Sequence, residues 1–512
     1  MKPLPLKVVA ACLGNNTPEQ EQTRLPRPTP LAERLLSANV LLGVLPCPVS
    51  GNAWEERTVD SVCTDSRDVA PGKVFFCFAG ERTDGHDHAP QAVEAGVAAI
   101  VATRDPLAKE REQGLPLPPV FLVTNAQDAL WLLALRQRSQ TNAKVVGITG
   151  TAGKTTLKES LASILSCQGA TEKNHKNFNT QIGLSMSMIN ASEDASFWVM
   201  EVGISQPHDM EELGSILQPD LSLILNAGVG HTQGLGEKGV DWHKASLSRY
   251  TAPNGFVLVN ADYPKLVVGV GGYKEYFLTN GIHILTFGTQ PPAKIKARYL
   301  GQTEEGKGRY TVDMDGKDHT IVAPFFGAYG AENVAALAAA ATLLGVAMPL
   351  VQKGLDTVIL PDMRFRRQDI GSVTLIDDSY NSNPLSARRM LEAASILAKE
   401  SGRELYCVLG EMRELGNDTQ NLHAELGRLI AAIAPRGILW KGNHWGSVMQ
   451  GLHEADYKGY FAQAQTTEDF IAQNKKIELA NIVVLFKGSR GNKLEEYVKE
   501  FTTMLQGATR AV

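Results

Sequence analysis

The sequence predicts an α/β protein made of three consecutive α/β domains, and three observations support this. The chain has 512 residues, whereas single hydrophobic cores stop growing at about 250–300 residues. Hydrophobic residues make up 43% and charged residues 21%, a composition typical of folded globular proteins. Short apolar runs alternate with helix-like segments along most of the chain, which is the pattern of βαβ units and parallel sheets.

The first predicted domain covers residues 1–142. We expect a first helix near 4–12, followed at 15–58 by an atypical insertion or linker that begins polar and proline-rich. Strand-like runs and apolar helices between 59 and 142 then predict a compact α/β unit.

The second predicted domain covers 143–361 and the third covers 362–512. The second opens with a buried-type strand at Lys144–Thr149, a glycine turn and a helix that runs through Ser166. Four more strand-like runs with helices between them predict a mainly parallel sheet. The third domain repeats this alternation, with strands predicted at 373–376, 404–409, 437–440 and 482–486.

Charge and composition exclude several classes of protein. The net charge of −5 argues against nucleic-acid binding, which usually requires a basic surface. The six cysteines are scattered without paired spacing, so neither a disulfide framework nor a zinc site is expected. No apolar run reaches the length of about 18 residues that a membrane helix needs. We therefore expect no membrane insertion and a cytoplasmic protein.

The strongest local signal is the segment VVGITGTAGKTT at 145–156, between a predicted strand and a predicted helix. Gly150 and Gly153 allow a tight turn whose N–H groups face phosphate oxygens, and the following helix adds its positive dipole end. Lys154 would reach the β- and γ-phosphates, and Thr155 would offer its hydroxyl to Mg²⁺. Ile148 occupies the first glycine position of the general pattern. The segment predicts a P-loop ATPase-like domain but leaves the reaction open.

The particular form TGTAGKTT resembles the Mur ligase family and its relative folylpolyglutamate synthase, with similarity from about 59 to 496. The resemblance implies a UDP-sugar-peptide site in the N-terminal domain, ATP in the central domain, and a Rossmann-like C-terminal domain that binds the incoming amine and closes on ATP. Two departures stand out. Ser246 replaces the glutamate that usually lies two residues after the lysine matched by Lys244. Glu332 replaces the histidine that usually precedes the asparagine matched by Asn333.

The resemblance also assigns roles residue by residue. The residues that it assigns to ATP are Gly150, Thr151, Gly153, Lys154, Thr155, Thr156, Asn333, Arg364 and Asp378. Those that it assigns to two Mg²⁺ ions are Thr155, Glu201, His231 and Lys244, the last as a carbamylated lysine. Those that it assigns to catalysis are Lys154, Lys244, His231 and Arg364. Those that it assigns to the other substrates are Asp65, Ser66, Arg67, Asn177, Asn179, Asn381, Glu414 and Arg490. Glu201 and His231 also follow predicted strands, where ligands gather in open sheets.

The C-terminal motifs indicate which reaction to expect. GEMRELG at 410–416, with His423 downstream, and KGSR at 487–490 resemble family members that join D-alanyl-D-alanine to UDP-N-acetylmuramoyl-tripeptide. That resemblance implies an acyl-phosphate intermediate, release of ADP and phosphate, and a role in peptidoglycan precursor synthesis. We expect a monomer. The alternatives left open are a sibling ligase that adds a single amino acid, a P-loop ATPase without ligase activity, and a catalytically inactive descendant. The sequence leaves lysine and diaminopimelate equally open as the third residue of the tripeptide.

Overall fold

The computed structural model describes residues 4–14, 25, 29–37, 39–45, 57–80, 83–175, 178–228 and 239–510. It contains three α/β domains, each built on its own mainly parallel sheet. The predicted fold class is therefore confirmed. Each sheet takes its strands from one predicted domain range, while the limits 1–142, 143–361 and 362–512 themselves remain predictions.

The N-terminal sheet has five strands, and its edge strand comes from the segment that we expected to be an insertion or linker. In spatial order the strands are Leu41–Leu45, Val120–Val123, Ala99–Ala102, Lys73–Phe76 and Ser61–Cys63. Leu41–Leu45 is antiparallel to its neighbour and the other pairs are parallel. The helix Pro30–Ser37 also buries three of its residues, Ala32, Leu35 and Leu36. The described part of 15–58 thus supplies a packed helix and an edge strand to the N-terminal domain, and its assignment as an insertion or linker stays a prediction.

The central sheet has nine strands. In spatial order they are Lys317–Ala323, Gly308–Met314, Ile295–Gln302, His283–Gly288, Phe256–Asn260, Leu221–Ile224, Lys144–Thr149, Phe197–Glu201 and Thr171–Lys173. The first three pair antiparallel with one another and all other pairs are parallel. The strand Lys144–Thr149 lies between Leu221–Ile224 and Phe197–Glu201. The carboxyl ends of these three strands therefore open at one edge, where ligands bind in open α/β sheets.

The C-terminal sheet has six strands. In spatial order they are Arg366–Ile370, Val373–Asp378, Ile482–Lys487, Glu404–Gly410, Gly437–Lys441 and Tyr460–Gln463. The pair Arg366–Ile370 and Val373–Asp378 is antiparallel and the remaining pairs are parallel. The carboxyl end of Val373–Asp378 leads into the segment that faces the central domain.

Helices cover the faces of all three sheets. Their bounds are Leu6–Gly14, Pro30–Ser37, Ala89–Glu94, Ala108–Glu112, Ala126–Gln140, Lys154–Ser166, Gln181–Ile189, Asp209–Leu217, Gly239–Ala245, Pro264–Gly271, Lys274–Thr279, Gly327–Leu343, Met348–Thr357, Pro384–Glu400, Thr419–Ile433, Trp445–Glu454, Thr467–Asn474 and Leu494–Arg510. A short antiparallel ladder joins Leu4–Pro5 to Thr58–Val59. In the described part of the chain, no helix combines the length and apolar character needed to cross a bilayer.

Apolar packing joins the N-terminal domain to the central one. One continuous core contains Leu132 and Leu135 of the helix Ala126–Gln140 together with Leu184 and Leu213 of central-domain helices. A second core fills the other face of the central sheet, where the helix Gly327–Leu343 buries most of its alanines. Small side chains let this helix approach the sheet closely, so it lies directly behind the glycine turn.

Candidate active site

A cavity of about 280 Å³ lies between the central and C-terminal domains. Its central-domain wall contains the glycine turn and the carboxyl end of Phe197–Glu201, and its other wall comes from residues 360–390 and Lys487. Of the residues assigned from sequence, it brings together Thr151, Gly153, Lys154, Thr155, Thr156, Asn179, Glu201, Lys244, Arg364, Asp378 and Asn381. These residues come from parts of the chain more than 200 positions apart, so the fold is what assembles them.

The glycine turn has the backbone that phosphate binding requires. Gly153 has a φ of 84°, which other residues rarely adopt. A Cβ on Gly150 would stand 3.0 Å from the Cβ of Leu225. Asn226 fixes the turn from the next strand, because its Oδ1 accepts hydrogen bonds from the backbone N–H groups of Thr151 (3.0 Å) and Ala152 (2.9 Å). The turn is therefore held in shape by the protein itself.

Lys154 begins the helix that follows the turn. Its Nζ donates a hydrogen bond to the carbonyl oxygen of Gly150 at 2.9 Å. Burial lowers the pKa of Lys154, the Glu201 carboxylate raises it, and Arg364 lowers it further. The Lys154 ammonium donates to a neutral carbonyl, so an anionic ligand would stabilise it further. Hydrogen bonds between two charged groups are about twice as strong as neutral ones.

Glu201 is fixed on all sides at the end of its strand. Its Oε2 accepts a hydrogen bond from the Thr155 hydroxyl at 2.7 Å, and its Oε1 accepts one from Asn179 Nδ2 at 2.7 Å. The Asn174 side chain holds the Glu201 backbone, with Oδ1 accepting from its N–H and Nδ2 donating to its carbonyl, both at 2.9 Å. The Thr155 hydroxyl and the Glu201 carboxylate are in direct contact, and both offer the oxygen ligands that Mg²⁺ prefers. Thr155 and Glu201 therefore fit the role of ligands to one Mg²⁺ ion, and the complete two-ion site stays a prediction.

Lys244 lies in the helix Gly239–Ala245 and is only 3% exposed. Its pKa is well below the usual value, first because of burial and then because of Lys154, with an opposing effect from Glu201. Such a lysine has a neutral amine at lower pH than an exposed one, and a neutral amine is the form that reacts with CO₂. Ser246, which replaces the family glutamate, donates its hydroxyl to the carbonyl of His243 at 2.7 Å.

His231 and Asn177 lie outside the described residues. Asn333 is buried behind the glycine turn, with its Oδ1 3.9 Å from the position of a Cβ on Gly153. It is not among the residues that line the cavity. Its side chain lies against Tyr329, where burial raises the pKa of the Tyr329 hydroxyl and hydrogen bonding to Asn333 lowers it. The contact of Asn333 with ATP stays a prediction.

The C-terminal wall is built around a constrained loop. Met363 and Phe365 have φ values of 59° and 54°, a left-handed conformation that costs non-glycine residues energy unless neighbours hold it. Asp378 supplies one such contact, because its Oδ1 accepts the N–H of Phe365 at 3.0 Å. Arg364 lies between Met363 and Phe365 in the chain, and its guanidinium stacks 4.0 Å above the centre of the Tyr380 ring. The loop thereby places Arg364 in the cavity wall.

Lys487 anchors the same wall from the neighbouring strand. Its side chain is 2% exposed, and its Nζ lies 2.6 Å from Asp378 Oδ2. It also donates to the carbonyl of Asn381 at 2.9 Å. The KGSR motif therefore begins with a lysine that organises the Asp378–Asn381 segment, a role that the sequence alone did not indicate.

Two other residues of the C-terminal motifs, Glu414 and Arg490, lie outside the cavity wall. Arg490 contacts Glu495 Oε1 at 2.9 Å and Met363 Sδ at 3.2 Å, so it adjoins the Arg364 loop. Glu414 has a φ of 63° on the loop after Glu404–Gly410.

His423 has a structural position. Its Nε2 accepts the Met412 N–H at 3.1 Å, and its Nδ1 lies 2.6 Å from the Thr419 carbonyl. Burial is the main cause that lowers the pKa of His423. This neutral histidine holds the GEMRELG loop in place.

The substrate residues predicted in the N-terminal domain lie apart from the cavity. Asp65 accepts hydrogen bonds from the Arg67 backbone and side chain, both at 2.9 Å, and these lower its pKa to about 2. The Arg67 side chain is 87% exposed. Ser66 begins the same short helical turn, and the Thr64 hydroxyl contacts Met186 of the central domain at 3.6 Å. An exposed arginine held in a defined orientation suits an anionic ligand.

Sequence reasoning missed the roles of four residues: Asn174, Asn226 and Lys487, described above, and Arg389, which lines the cavity and pairs with Glu332. Asn226 ends a strand-like run, so the rule that polar residues at strand ends mark ligand sites could have indicated it. Asn174 and Arg389 make contacts 27 and 57 residues away along the chain, and no local pattern signals them.

Fold and site together define a three-domain P-loop enzyme in which a second domain closes the phosphate site. Three family models match: "Mur ligase family, catalytic domain" at 58–128, "Mur ligase middle domain" at 148–342, and "Mur ligase, glutamate ligase domain" at 363–490. The chain belongs to the Mur ligase family.

Named relatives cover most of the chain. It is 29% identical over 454 residues to the UDP-N-acetylmuramoyl-tripeptide–D-alanyl-D-alanine ligase of Bacillus subtilis (strain 168), covering 87% of this chain and 94% of the relative. It is 30% identical over 401 residues to the ligase of that name from Synechocystis sp., covering 77% and 81%. Among solved structures, MurF from Acinetobacter baumannii superposes with a TM-score of 0.76 at 26% identity, covering 87% of this chain and 94% of that one.

Proposed function

We propose that this protein joins D-alanyl-D-alanine to UDP-N-acetylmuramoyl-tripeptide, using ATP and releasing ADP and phosphate, as a step in peptidoglycan precursor synthesis. The observation that carries the proposal is the convergence of Lys154, Thr155 and Glu201 with Arg364 of another domain at one cavity. Relatives named for this reaction support the choice of substrates.

The reaction must bring two anions together. The terminal carboxylate of the tripeptide attacks the γ-phosphorus of ATP, ADP leaves, and an acyl phosphate forms. The neutral amine of D-alanyl-D-alanine then attacks the carbonyl carbon and its nitrogen loses a proton. The C–O bond to the phosphate breaks, and phosphate leaves with the former carboxylate oxygen. Lys154 and Arg364 place positive charge from both walls around the transferring group, and fixed charges of this kind stabilise the transition state.

Thr155, Glu201, His231 and Lys244 are the residues proposed to hold two Mg²⁺ ions, which when bound would neutralise phosphate charge and align the reacting groups. The contacts of Glu201 with Thr155 and Asn179 support this for the first ion. Lys244 is proposed to act as a carbamate, formed when its neutral amine adds CO₂ and releases a proton. That change would place an anion beside Lys154, where burial and, after it, the charge of Lys154 already lower the pKa of the Lys244 amine.

The remaining assignments concern recognition. Asp65, Ser66 and Arg67 are proposed to bind the UDP group, and Asn177 and Asn179 are proposed to bind the peptide. Asn333 is proposed to contact the adenine. Asp378 is proposed to belong to the wall that closes on ATP. Asn381, Glu414 and Arg490 are proposed for D-alanyl-D-alanine, because opposite charges match its ammonium and carboxylate ends. We propose that the protein is cytoplasmic, since the substrates and ATP are cytoplasmic. We also propose that it is a monomer.

A direct test incubates the protein with ATP, Mg²⁺ and UDP-N-acetylmuramoyl-tripeptide in its lysine and diaminopimelate forms. D-alanyl-D-alanine is the acceptor in one arm, and single amino acids are acceptors in the others. Mass spectrometry should detect the pentapeptide product only with the dipeptide. Product with a lone amino acid would instead identify a sibling ligase, and phosphate release without the UDP precursor would identify an ATPase.

A further inference from the structure

A buried ion pair joins the central and C-terminal domains beside the cavity. Arg389 belongs to the C-terminal helix Pro384–Glu400, and its Nη2 lies 2.5 Å from Glu332 Oε2 and 2.5 Å from the Tyr263 hydroxyl, both in the central domain. Asn260 Nδ2 donates to the same Glu332 oxygen at 3.0 Å. The side chains are 6% exposed for Arg389 and 16% for Glu332.

The charges of this pair depend on each other. Burial raises the pKa of Glu332, and Arg389 is the main influence that lowers it. Burial raises the pKa of Tyr263 to about 12, so its hydroxyl stays protonated at neutral pH. Removing one partner of a buried pair leaves an uncompensated charge, which costs far more than losing an exposed pair. Because Arg389 and Glu332 belong to different domains, the pair forms only when the C-terminal domain is packed against the central domain.

The ion pair also borders the reaction site. Arg389 lines the cavity and stacks 4.9 Å from the centre of the Tyr329 ring. The Tyr329 hydroxyl stands 3.3 Å from the position of a Cβ on Gly153, so the stack reaches the glycine turn. Glu332 directly precedes Asn333 and stands where the family resemblance expects a histidine. A shift of the helix Pro384–Glu400 would thus displace Arg389 and Tyr329 and change the surroundings of the glycine turn.

Apolar packing also joins the two domains, with the Phe326 and Phe365 rings 5.2 Å apart. Among the described residues, the other polar contacts between these domains are weaker. Tyr299 donates to Glu400 at an exposed position, and Arg367 donates to the Gly306 carbonyl, which is neutral. Asn383 Nδ2 reaches the Thr151 carbonyl at a long 3.4 Å. The Glu332–Arg389 pair differs from them because it is both charged and buried.

We propose that Glu332 and Arg389 form an interdomain clasp that holds the C-terminal domain over the cavity and keeps water from the acyl phosphate. Arg389 is then a positioning residue rather than a catalytic one. The inference rests on the proposed function, because it concerns the fate of that intermediate. If the clasp loosens, water attacks the acyl phosphate, the carboxylate is regenerated, and phosphate is released without a peptide bond. Loss of the clasp therefore changes the ratio of phosphate released to product formed, which is one in a fully coupled ligase.

The test compares Arg389→Met with Arg388→Met in the full-length protein. Arg388 is one residue away, its side chain is 58% exposed, and it pairs with Glu392 on the same helix at 3.7 Å. We expect Arg389→Met to lower kcat by about tenfold to a hundredfold, the range that follows from misplaced reacting groups, and to raise the phosphate-to-product ratio clearly above one. Arg388→Met should match the wild type in both. Glu332→Gln should shift both quantities in the same direction as Arg389→Met but less, because the oxygen of the substituted amide would still accept a hydrogen bond from Arg389.

The two readouts separate a clasp from a pair that only stabilises the fold. Wild-type turnover with a ratio of one in Arg389→Met, even with a lower melting temperature, would show a purely structural pair and overturn the proposal. A fall in kcat with the ratio still at one would overturn it too. If Arg389→Met does not fold, Glu332→Gln and Arg389→Lys decide by the same two readouts. If the wild-type protein forms no product from any acceptor, the proposed function fails first, and that result is separate from a failure of the clasp.

Discussion

Replacing Asp378 with asparagine removes the negative charge that faces the buried ammonium of Lys487. The two groups are 2.6 Å apart, and the Lys487 side chain is 2% exposed. Breaking a buried pair on one side costs about 3–5 kcal/mol. The lower end, about 3 kcal/mol, applies here because the Asn381 carbonyl still accepts from Lys487 and the new amide oxygen can accept as well. For a domain of this size, that loss lowers the melting temperature by about 6–12 °C.

Differential scanning calorimetry of the full chain measures this shift, with Asp456→Asn as the matched control. Asp456 pairs with Lys458 at the surface, where the side chains are 81% and 78% exposed. It has a φ of 53°, a conformation that asparagine tolerates well. Exposed pairs contribute about 0–1 kcal/mol, so the control should move by less than about 4 °C. An Asp378→Asn transition no further from the wild type than that of the control would refute the importance of this pair.

Three further predictions concern the reaction. Lys154→Met should lower ligation by about a hundredfold to a thousandfold, the usual effect of losing one group that stabilises transition-state charge, as measured by product formation under saturating substrates. Glu201→Gln should raise the Mg²⁺ concentration needed for half-maximal activity by about tenfold or more, because a neutral amide binds a hard cation less well; a magnesium titration checks this. Removing CO₂ from the buffer should lower activity, more so at lower pH, since carbamate formation needs the neutral Lys244 amine and releases a proton. Added bicarbonate should restore it, and Lys244→Arg should be inactive with or without bicarbonate.

Each of the three can fail. Ligation by Lys154→Met close to that of the wild type would remove Lys154 from the phosphate site. An unchanged magnesium requirement in Glu201→Gln would show that the carboxylate orients Thr155 without binding metal. Activity that does not depend on CO₂ would contradict the carbamate. Lys353→Arg serves as the control for the replacement of a lysine by arginine, because Lys353 lies in the helix Met348–Thr357, away from the cavity.

Local patterns predicted the strand and the helix on either side of the glycine turn well. The strand Lys144–Thr149 and the helix ending at Ser166 have the bounds expected from their apolar run and glycine turn. Glu201 ends its strand at the sheet edge beside Thr155, as expected of an acidic residue that follows a buried run. These features depend on neighbours in sequence and on the rule for parallel strand ends, so they can be read without a structure.

The features that sequence reasoning missed depend on distant partners. The antiparallel strands Ile295–Gln302, Gly308–Met314 and Lys317–Ala323 are partly exposed and rich in polar residues, so they lack the apolar runs that mark central parallel strands. Leu41–Leu45 pairs antiparallel with Val120–Val123, a strand almost 80 residues further along the chain. Arg389 looks like an exposed helix charge until the fold brings Glu332 opposite to it.

The most direct test of the proposed chemistry follows one oxygen atom. UDP-N-acetylmuramoyl-tripeptide labelled with ¹⁸O in its terminal carboxylate is converted with ATP and D-alanyl-D-alanine, and the released phosphate is analysed by mass spectrometry. If Lys154 and Arg364 bring that carboxylate onto the γ-phosphorus, each phosphate released with product carries one labelled oxygen. Pentapeptide formation with unlabelled phosphate would show that no acyl phosphate forms and would contradict the proposed role of this cavity.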